Sequence, residues 1–440
     1  MVAPDPARRP RVAVIGSGIA GLAAAWRLRD AADVTLFEAA GHFGGHAHTV
    51  DVELEGRQVP VDTGFLVLNP RTYPGLLALF DELDIELAPA QMSFSVQGQL
   101  PGGARLEWAG SDLGGLFAQR RNALRPGFWR MLRDILRFNR EATALALSAQ
   151  RDDAAGPSVG SFLRDGGYSE EFRDGYFLPM AACIWSCPTA SMLEFPMRTM
   201  ARFCHNHALL QWSGRPQWLT VRGGSRRYVR RVLHGLPDKR LRTPVRALRR
   251  VGNGVELLLD GAREHFDHAV LACHSDQALA LLEQPTPAER SVLSSIAYQR
   301  NRAVLHLDEA LLPRAQRAWA AWNYESGPGS AATREVCVHY LINRLQPLGV
   351  RTPVIVSLNP LREPATRSVL REIDYAHPVF DAAAIQAQAR VPQLQGVGNT
   401  WFCGAWCGHG FHEDGLRAGY AAADALLQRM AGAQPWPRAA

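Results

Sequence analysis

The chain of 440 residues is nearly devoid of lysine: Lys239 is the single one, so arginine carries almost all of its 48 basic charges against 42 acidic ones. No nucleic-acid-binding motif accompanies the resulting net charge of +6, which argues against a nucleic-acid partner. The seven cysteines contain no CxxC pair. That excludes a zinc-ribbon spacing and a disulfide framework, and it points to a reducing compartment, with the cytoplasm expected. Uninterrupted apolar runs never reach the roughly 18 residues of a spanning helix, so any membrane contact is expected to be peripheral. Internal repeats are absent as well, which excludes a solenoid. What is present, 47% apolar and 20% charged residues, fits a globular chain. Single cores stop growing near about 250 to 300 residues, so two domains are expected.

Val12-Ala13-Val14-Ile15 is a short β-branched run that ends at Gly16-Ser17-Gly18-Ile19-Ala20-Gly21, and an alanine-rich helical stretch from Leu22 to Arg29 follows. Each glycine has a task in a strand, turn and helix that bind a dinucleotide. Gly16 permits the tight turn, Gly18 lets the backbone approach a pyrophosphate, and Gly21 lets the helix pack on the strand. The phosphates sit against the unpaired N–H groups of the helix N-terminus. These glycines also explain the apolar stretch after Arg8-Arg9 better than an export signal does. A second strand, Val34 to Phe37, ends in Glu38, 22 residues beyond Gly16, where this fingerprint places a ribose-binding acid. A carboxylate there disfavours a 2′-phosphate, and hence NADP.

The following segment, Gly41-His42-Phe43-Gly44-Gly45-His46-Ala47-His48-Thr49, resembles that of the amine-oxidase-like flavoprotein superfamily, which includes monoamine oxidases, protoporphyrinogen oxidases and phytoene desaturases. The resemblance implies FAD, with Gly44 and Gly45 at the pyrophosphate; His46 stands where arginine is usual. Near the other end, Cys403-Gly404-Ala405-Trp406 and Glu413-Asp414-Gly415-Leu416 resemble the superfamily segments that close over the ribityl chain and flavin ring, although Trp406 lies just past the usual aspartate position. A valine such as Val245 touches adenine in these proteins. Asn253-Gly254, between apolar runs, signals a hairpin. Longer strings are similar to those of a narrower bacterial group, the NAD/FAD-binding proteins associated with cyclopropane-fatty-acid synthases. They are Val61-Asp62-Thr63-Gly64-Phe65, Met180 to Ser186, Tyr340 to Gln346 and Gly410 to Leu416. That group implies a lipid acyl substrate and a possible lipid methyltransferase partner.

The expected fold class is α/β: a discontinuous Rossmann-like FAD-binding domain (8–70, 215–280 and 390–432) with an inserted mixed α+β substrate domain (71–214 and 281–389). Residues 433–440 read as a loose tail. The strand from Gly398 to Gly404 is expected beside the N-terminal strand.

The lone lysine bears on the chemistry. Many flavin amine oxidases place a lysine, through water, at the flavin N5, and Lys239 lies by the adenine-side segment instead. A peroxide-producing amine oxidase is therefore disfavoured against hydride removal from a carbon chain, whether dehydrogenation or double-bond isomerisation. Candidates for an apolar slot over the flavin are Trp185, Phe65, Tyr340 and Trp406, each with a core role as the alternative. His409 and His412 are the candidate proton carriers, His412 the favoured one. His42, His46 and His48 have no acid or cysteine nearby in sequence, so no metal site is expected. Two rival functions stay open, an amine or porphyrinogen oxidase and a flavin-bearing partner protein without turnover. Finally, Phe128, Trp129, Leu132, Ile135 and Leu136 mark one helical face accompanied by Arg130, Arg133, Arg137 and Arg140, either a core-covering helix or a membrane-surface element.

Overall fold

A computed structural model describes residues 8–99, 105–148, 156–211, 214–327 and 336–432; the expected tail, 433–440, lies outside them. Strand β1 (Arg11–Ile15) runs in the centre of a five-stranded parallel sheet. On one side it pairs with β2 (Asp33–Phe37) and then the edge strand Asp238–Arg240, on the other with His268–Leu271 and then Thr400–Phe402. Val12 to Ile15 are buried, as a strand covered on both faces requires. The sheet thus takes strands from three separated stretches of chain, the discontinuity expected from sequence. One expectation is corrected: Thr400–Phe402 is not beside β1, because His268–Leu271 pairs in register with Val12 to Ile15 and takes that edge.

The helices that matter below are α1 (Ile19–Leu28), α2 (Pro74–Glu82), α3 (Leu113–Leu116), α4 (Pro126–Leu147), α5 (Leu178–Trp185) and α6 (His412–Met430). Helix α6 crosses α1 so closely that a Cβ on Gly419 would lie 2.2 Å from the Ala20 carbonyl oxygen. The two chain ends are thereby locked together over the sheet. The hairpin near Asn253 is real but one residue earlier than expected. Val251 pairs with Gly254, leaving Gly252 (φ +49°) and Asn253 as the turn. Gly254 is already in the strand, where a Cβ would approach the Phe266 carbonyl oxygen to 2.3 Å.

Both inserts contribute to one seven-stranded sheet, ordered Val369–Val379, Ala297–His306, Ile355–Leu358, Val338–Leu341, Trp322–Glu325, Phe94–Gln99, Arg105–Ala109. Helices between 126 and 206 pack beside it, with Phe138 of α4 buried among the rings of Phe162, Tyr168, Phe172 and Phe177. Asp62 fastens the two regions: its carboxylate accepts from Thr49 Oγ1, Ser225 N and Oγ, and Gln346 Nε2. Among the described residues no helix is long and apolar enough to cross a membrane.

Candidate cofactor and substrate site

A cavity of about 1660 Å³ extends from the turn after β1 to the inner face of the seven-stranded sheet. Ligand pockets usually hold roughly 300 to 1,000 Å³, so a dinucleotide and a second molecule have room together. The exposed residues on its wall include Ala39, Ala40, Gln277 and Ala280 at the dinucleotide end, and Gln91, Gly110, Ser111, Asp112, Gly114, Arg215, Gln217, Gln316, Arg317 and His409 elsewhere.

The dinucleotide end is built as a phosphate cradle. Gly16 has φ +103°, and a Cβ on Gly21 would stand 1.9 Å from the Gly16 carbonyl oxygen, so both positions require glycine. Gly18, by contrast, would place a Cβ in space free of protein atoms within 4 Å. The first turn of α1 carries no acidic residue, and Gly18, Ile19 and Ala20 lie on the wall. This is the geometry that binds an anionic pyrophosphate. The Gly44-Gly45 turn abuts it: a Cβ on Gly45 (φ +56°) would be 3.1 Å from Gly18 Cα, and Gly44 N donates to the Ser17 carbonyl at 3.1 Å. Glu38 is held at the wall by Ser17 N (3.0 Å), Ser17 Oγ (2.5 Å) and Ala40 N (2.8 Å). Ser17 is a residue missed from sequence, although it sits at a variable position of the glycine motif itself. Val245 lies on the same wall beside Thr243.

His46, in the place of the usual arginine, also lines the cavity. It stacks on Tyr375 at 4.7 Å, its Nε2 is buried without a partner, and burial together with His377 and His274 holds it well below the ordinary imidazole range. It is thus a neutral polar contact and not a second phosphate-binding charge. Gly64 fits under it, since a Cβ there would meet the His46 carbonyl oxygen at 2.3 Å. Phe65 stacks on His412 at 3.7 Å, and His412 Nε2 lies 3.2 Å from the Tyr228 hydroxyl.

The far end of the chain closes the cavity in a way that differs from expectation. Phe411 and His412 reach the wall, as do Gly404 and Trp406, whose indole donates to the Cys273 carbonyl at 3.1 Å. Glu413, Asp414, Gly415 and Leu416 do not reach it. Glu413 instead caps α2, accepting from Gly75 N and Leu76 N at 2.9 Å each. Asp414 accepts from Phe411 N, Gly415 packs against Ile19, and Leu416 is fully buried in the core. The side chains of these four seat α6. Burial lowers His412 to about 3, so its imidazole is held neutral.

At the substrate end, Trp185 and Tyr340 stand on the wall with Met92, Phe94, Trp108 and Trp322. Trp185 packs on Phe203 at 4.5 Å, and its indole nitrogen is buried without a partner. Burial pushes the Tyr340 phenol far up, so it does not serve as a base. The wall also carries His274, Tyr298, Tyr375 and His377, missed from sequence although Tyr375 and His377 alternate on one strand face. Burial lowers His377 to about 4. Lys239 is absent from the wall; its ammonium donates to the Leu236 carbonyl on the sheet edge. All seven cysteines are free. As a potential metal-ligand triad, only Glu325, Cys337 and His339 converge among the described residues, and there Arg362 already holds the Glu325 carboxylate at 2.8 Å.

Strand, glycine turn and anchored acid define a dinucleotide-binding protein of the doubly wound class, and the residues present fit FAD. The model of the flavin containing amine oxidoreductases matches residues 19–348, and the chain belongs to that family. FAD is accordingly its cofactor, and when bound it supplies a hydride acceptor. Among solved structures the chain is similar to cyclohexylamine oxidase from Brevibacterium oxydans, with 18% identity, a TM-score of 0.69, and 96% of this chain and 100% of that one covered. It is similar to putrescine oxidase bound to putrescine, with 16% identity, a TM-score of 0.64, and coverage of 96% and 99%. It is likewise similar to a CLA-producing fatty acid isomerase from P. acnes, with 15% identity, a TM-score of 0.62, and coverage of 97% and 99%. No curated protein matches the chain.

Proposed function

We propose that this FAD-dependent oxidoreductase acts on the acyl chain of a lipid, removing a hydride from a chain carbon to the flavin and then either losing a proton from the neighbouring carbon to water, which completes a desaturation and leaves two electrons for an external electron acceptor, or returning the hydride to shift a double bond. The observation that carries this reading is the charge inventory of the cavity wall. Its carboxylates are Glu38, committed at the dinucleotide end, and Asp112 on the exposed far rim, whereas Arg215, Arg317 and Arg344 all lie toward the substrate end. An ammonium substrate would meet net positive charge with no buried counter-ion. The cost of burying such a charge unpaired is several kcal/mol. A long apolar chain with an anionic head finds the reverse: aromatic and thioether walls for its methylenes, at about 0.8 kcal/mol per CH₂ buried, and arginine for its carboxylate or phosphate. The same apolar wall excludes water from the reacting carbons. Two of the similar structures are amine oxidases by name and one is a fatty acid isomerase, so the likeness in fold alone does not choose between substrates.

The test is anaerobic incubation of the holoprotein with detergent-dispersed unsaturated fatty acid, with bacterial phospholipid, and with putrescine or cyclohexylamine. Flavin absorbance near about 450 nm is followed, and the acyl products are separated by mass and double-bond position. Bleaching by, or a shifted or additional double bond in, an acyl lipid is expected. Bleaching by amine with every acyl lipid unchanged would overturn the assignment.

A further inference from the structure

We propose that the face formed by α3, the turn Arg120–Leu124 and α4 docks on the surface of an anionic lipid bilayer. Of the nine large hydrophobic side chains that stand exposed among the described residues, five lie on this short stretch: Leu113, Leu124, Trp129, Leu136 and Leu147. Three of them belong to α4, where Phe128, Met131, Ile135 and Phe138 form the buried inner face. At 100° per residue, positions 129, 136 and 147 fall within about 20° of one another on the opposite side, a stripe about 27 Å long. A core-covering helix has no need of that second apolar stripe. Trp129 ties the pieces together, because its indole donates to the Ala123 carbonyl at 2.9 Å and its ring lies 5.9 Å from that of Phe117, which follows α3.

The charges on this face select the partner. Arg133 and Arg140 stand in the stripe between Trp129, Leu136 and Leu147, exposed and without an ion-pair partner among the described residues. The arginines that turn back toward the protein are paired, Arg130 with Glu171 and Arg137 with Asp134. Unpaired guanidinium groups interleaved with leucine and tryptophan match a surface that offers phosphates above an apolar layer, with the arginine stems lying along the hydrocarbon. A nucleic acid offers no home for the leucines. The cavity opens in the same face: Leu113 sits between Asp112 and Gly114, both on the exposed rim of the wall. An acyl chain entering there passes from the bilayer to the cavity without crossing water. That last point rests on the proposed acyl substrate; the docking does not.

The experiment is co-sedimentation of the holoprotein with phosphatidylcholine vesicles, with and without phosphatidylglycerol. Binding is expected only where phosphatidylglycerol is present, and it weakens as salt rises. R133Q/R140Q should lower the partition about thirty-fold, from roughly 1 kcal/mol per surface arginine. W129A/L136A should lower it further, with the flavin spectrum and circular dichroism of both variants unchanged. Equal binding to both vesicle types, wild-type binding by R133Q/R140Q, or a solution dimer that R133Q/R140Q dissociates would overturn the proposal. Vesicle binding without turnover of any acyl lipid would sink the substrate assignment alone, and turnover of dispersed lipid without vesicle binding would sink the docking alone.

Discussion

Gly18 and Gly21 are three residues apart, yet alanine at each should fail in opposite ways. Gly18 has φ −62° and ψ 175°, a conformation open to alanine, and its added methyl meets no protein atom within 4 Å. The G18A apoprotein should therefore be as stable as wild type, or more so by the roughly 0.4 to 1 kcal/mol that a glycine-to-alanine change removes from unfolded-chain entropy. The methyl does occupy the space that the pyrophosphate needs. Holding the phosphate away from even two backbone N–H groups forfeits charge-assisted hydrogen bonds worth about 1.5 to 3 kcal/mol each. The dissociation constant of FAD should then rise at least about a hundred-fold. In G21A the methyl lies 1.9 Å from Gly16 O and 3.1 Å from the Ala272 Cβ, against an ordinary contact of 3.4 Å or more. Strand and helix must part by over about 1 Å, and overpacking of that kind costs about 1 to 3 kcal/mol or more, already in the apoprotein. Denaturant unfolding of the flavin-free proteins and FAD titration by fluorescence quenching separate the two effects. FAD affinity of wild-type strength in G18A, or apoprotein stability of wild-type level in G21A, would refute this account of the cradle.

Two further outcomes follow from Glu413 and from the buried histidines. E413Q should lower stability by about 2 to 3 kcal/mol, because the amide can keep one of the two cap bonds to α2 but sets an N–H against the other; its FAD affinity should stay at the wild-type level, and a large loss of affinity in a stable E413Q protein would return Glu413 to the cofactor site. Acid should destabilise the protein well above the carboxylate range. Burial lowers His48, His207, His268 and His377 to about 4 and His412 to about 3. The unfolded chain binds protons that the native state refuses, so this stability is complete above about pH 6.5 and is lost as pH falls toward 4. Several such sites together make a slope of several kcal/mol per pH unit. Unfolding monitored by circular dichroism from pH 7 to 4.5 reads it, and a flat profile across that interval would refute the neutral assignments.

The dinucleotide half was legible because its chemistry is local in sequence. Gly16, Gly18, Gly21, Glu38, Gly44 and Gly45 lie within thirty residues of one another, and backbone geometry dictates each glycine. The substrate half was not, because its wall gathers single residues from strands and a helix far apart in sequence: Trp108, Trp185, Tyr298, Tyr340 and Tyr375 carry no spacing that marks them as neighbours. Glu413 to Leu416 were assigned by motif to the flavin, and the packing of Glu413 against α2 and of Gly415 against Ile19 is long-range and carries no signal in sequence. His412 was read from its reference titration range, and burial moved it out of that range. Sequence names a titratable group, but only packing says how much water it keeps.

The scarcity of lysine acquires a physical meaning in the cavity. A lysine on a half-buried aromatic wall would shed its proton as water was excluded, whereas a guanidinium keeps its charge. Arg215, Arg317 and Arg344 set a positive sign at the substrate end. The buried histidines beside the cofactor end are neutral for the complementary reason, since His46, His377 and His412 are held below their ordinary range by desolvation. The wall thus offers fixed charge and apolar area, and these three imidazoles are held neutral. Such a wall suits a reaction whose difficult step is hydride removal from carbon, which asks for orientation and dryness, and it is poorly suited to a substrate that must first lose a proton from an ammonium. The same residue type continues outside, in Arg133 and Arg140 on the exposed face of α4. One choice of cation therefore serves both the face that would meet a lipid headgroup and the wall that would hold it.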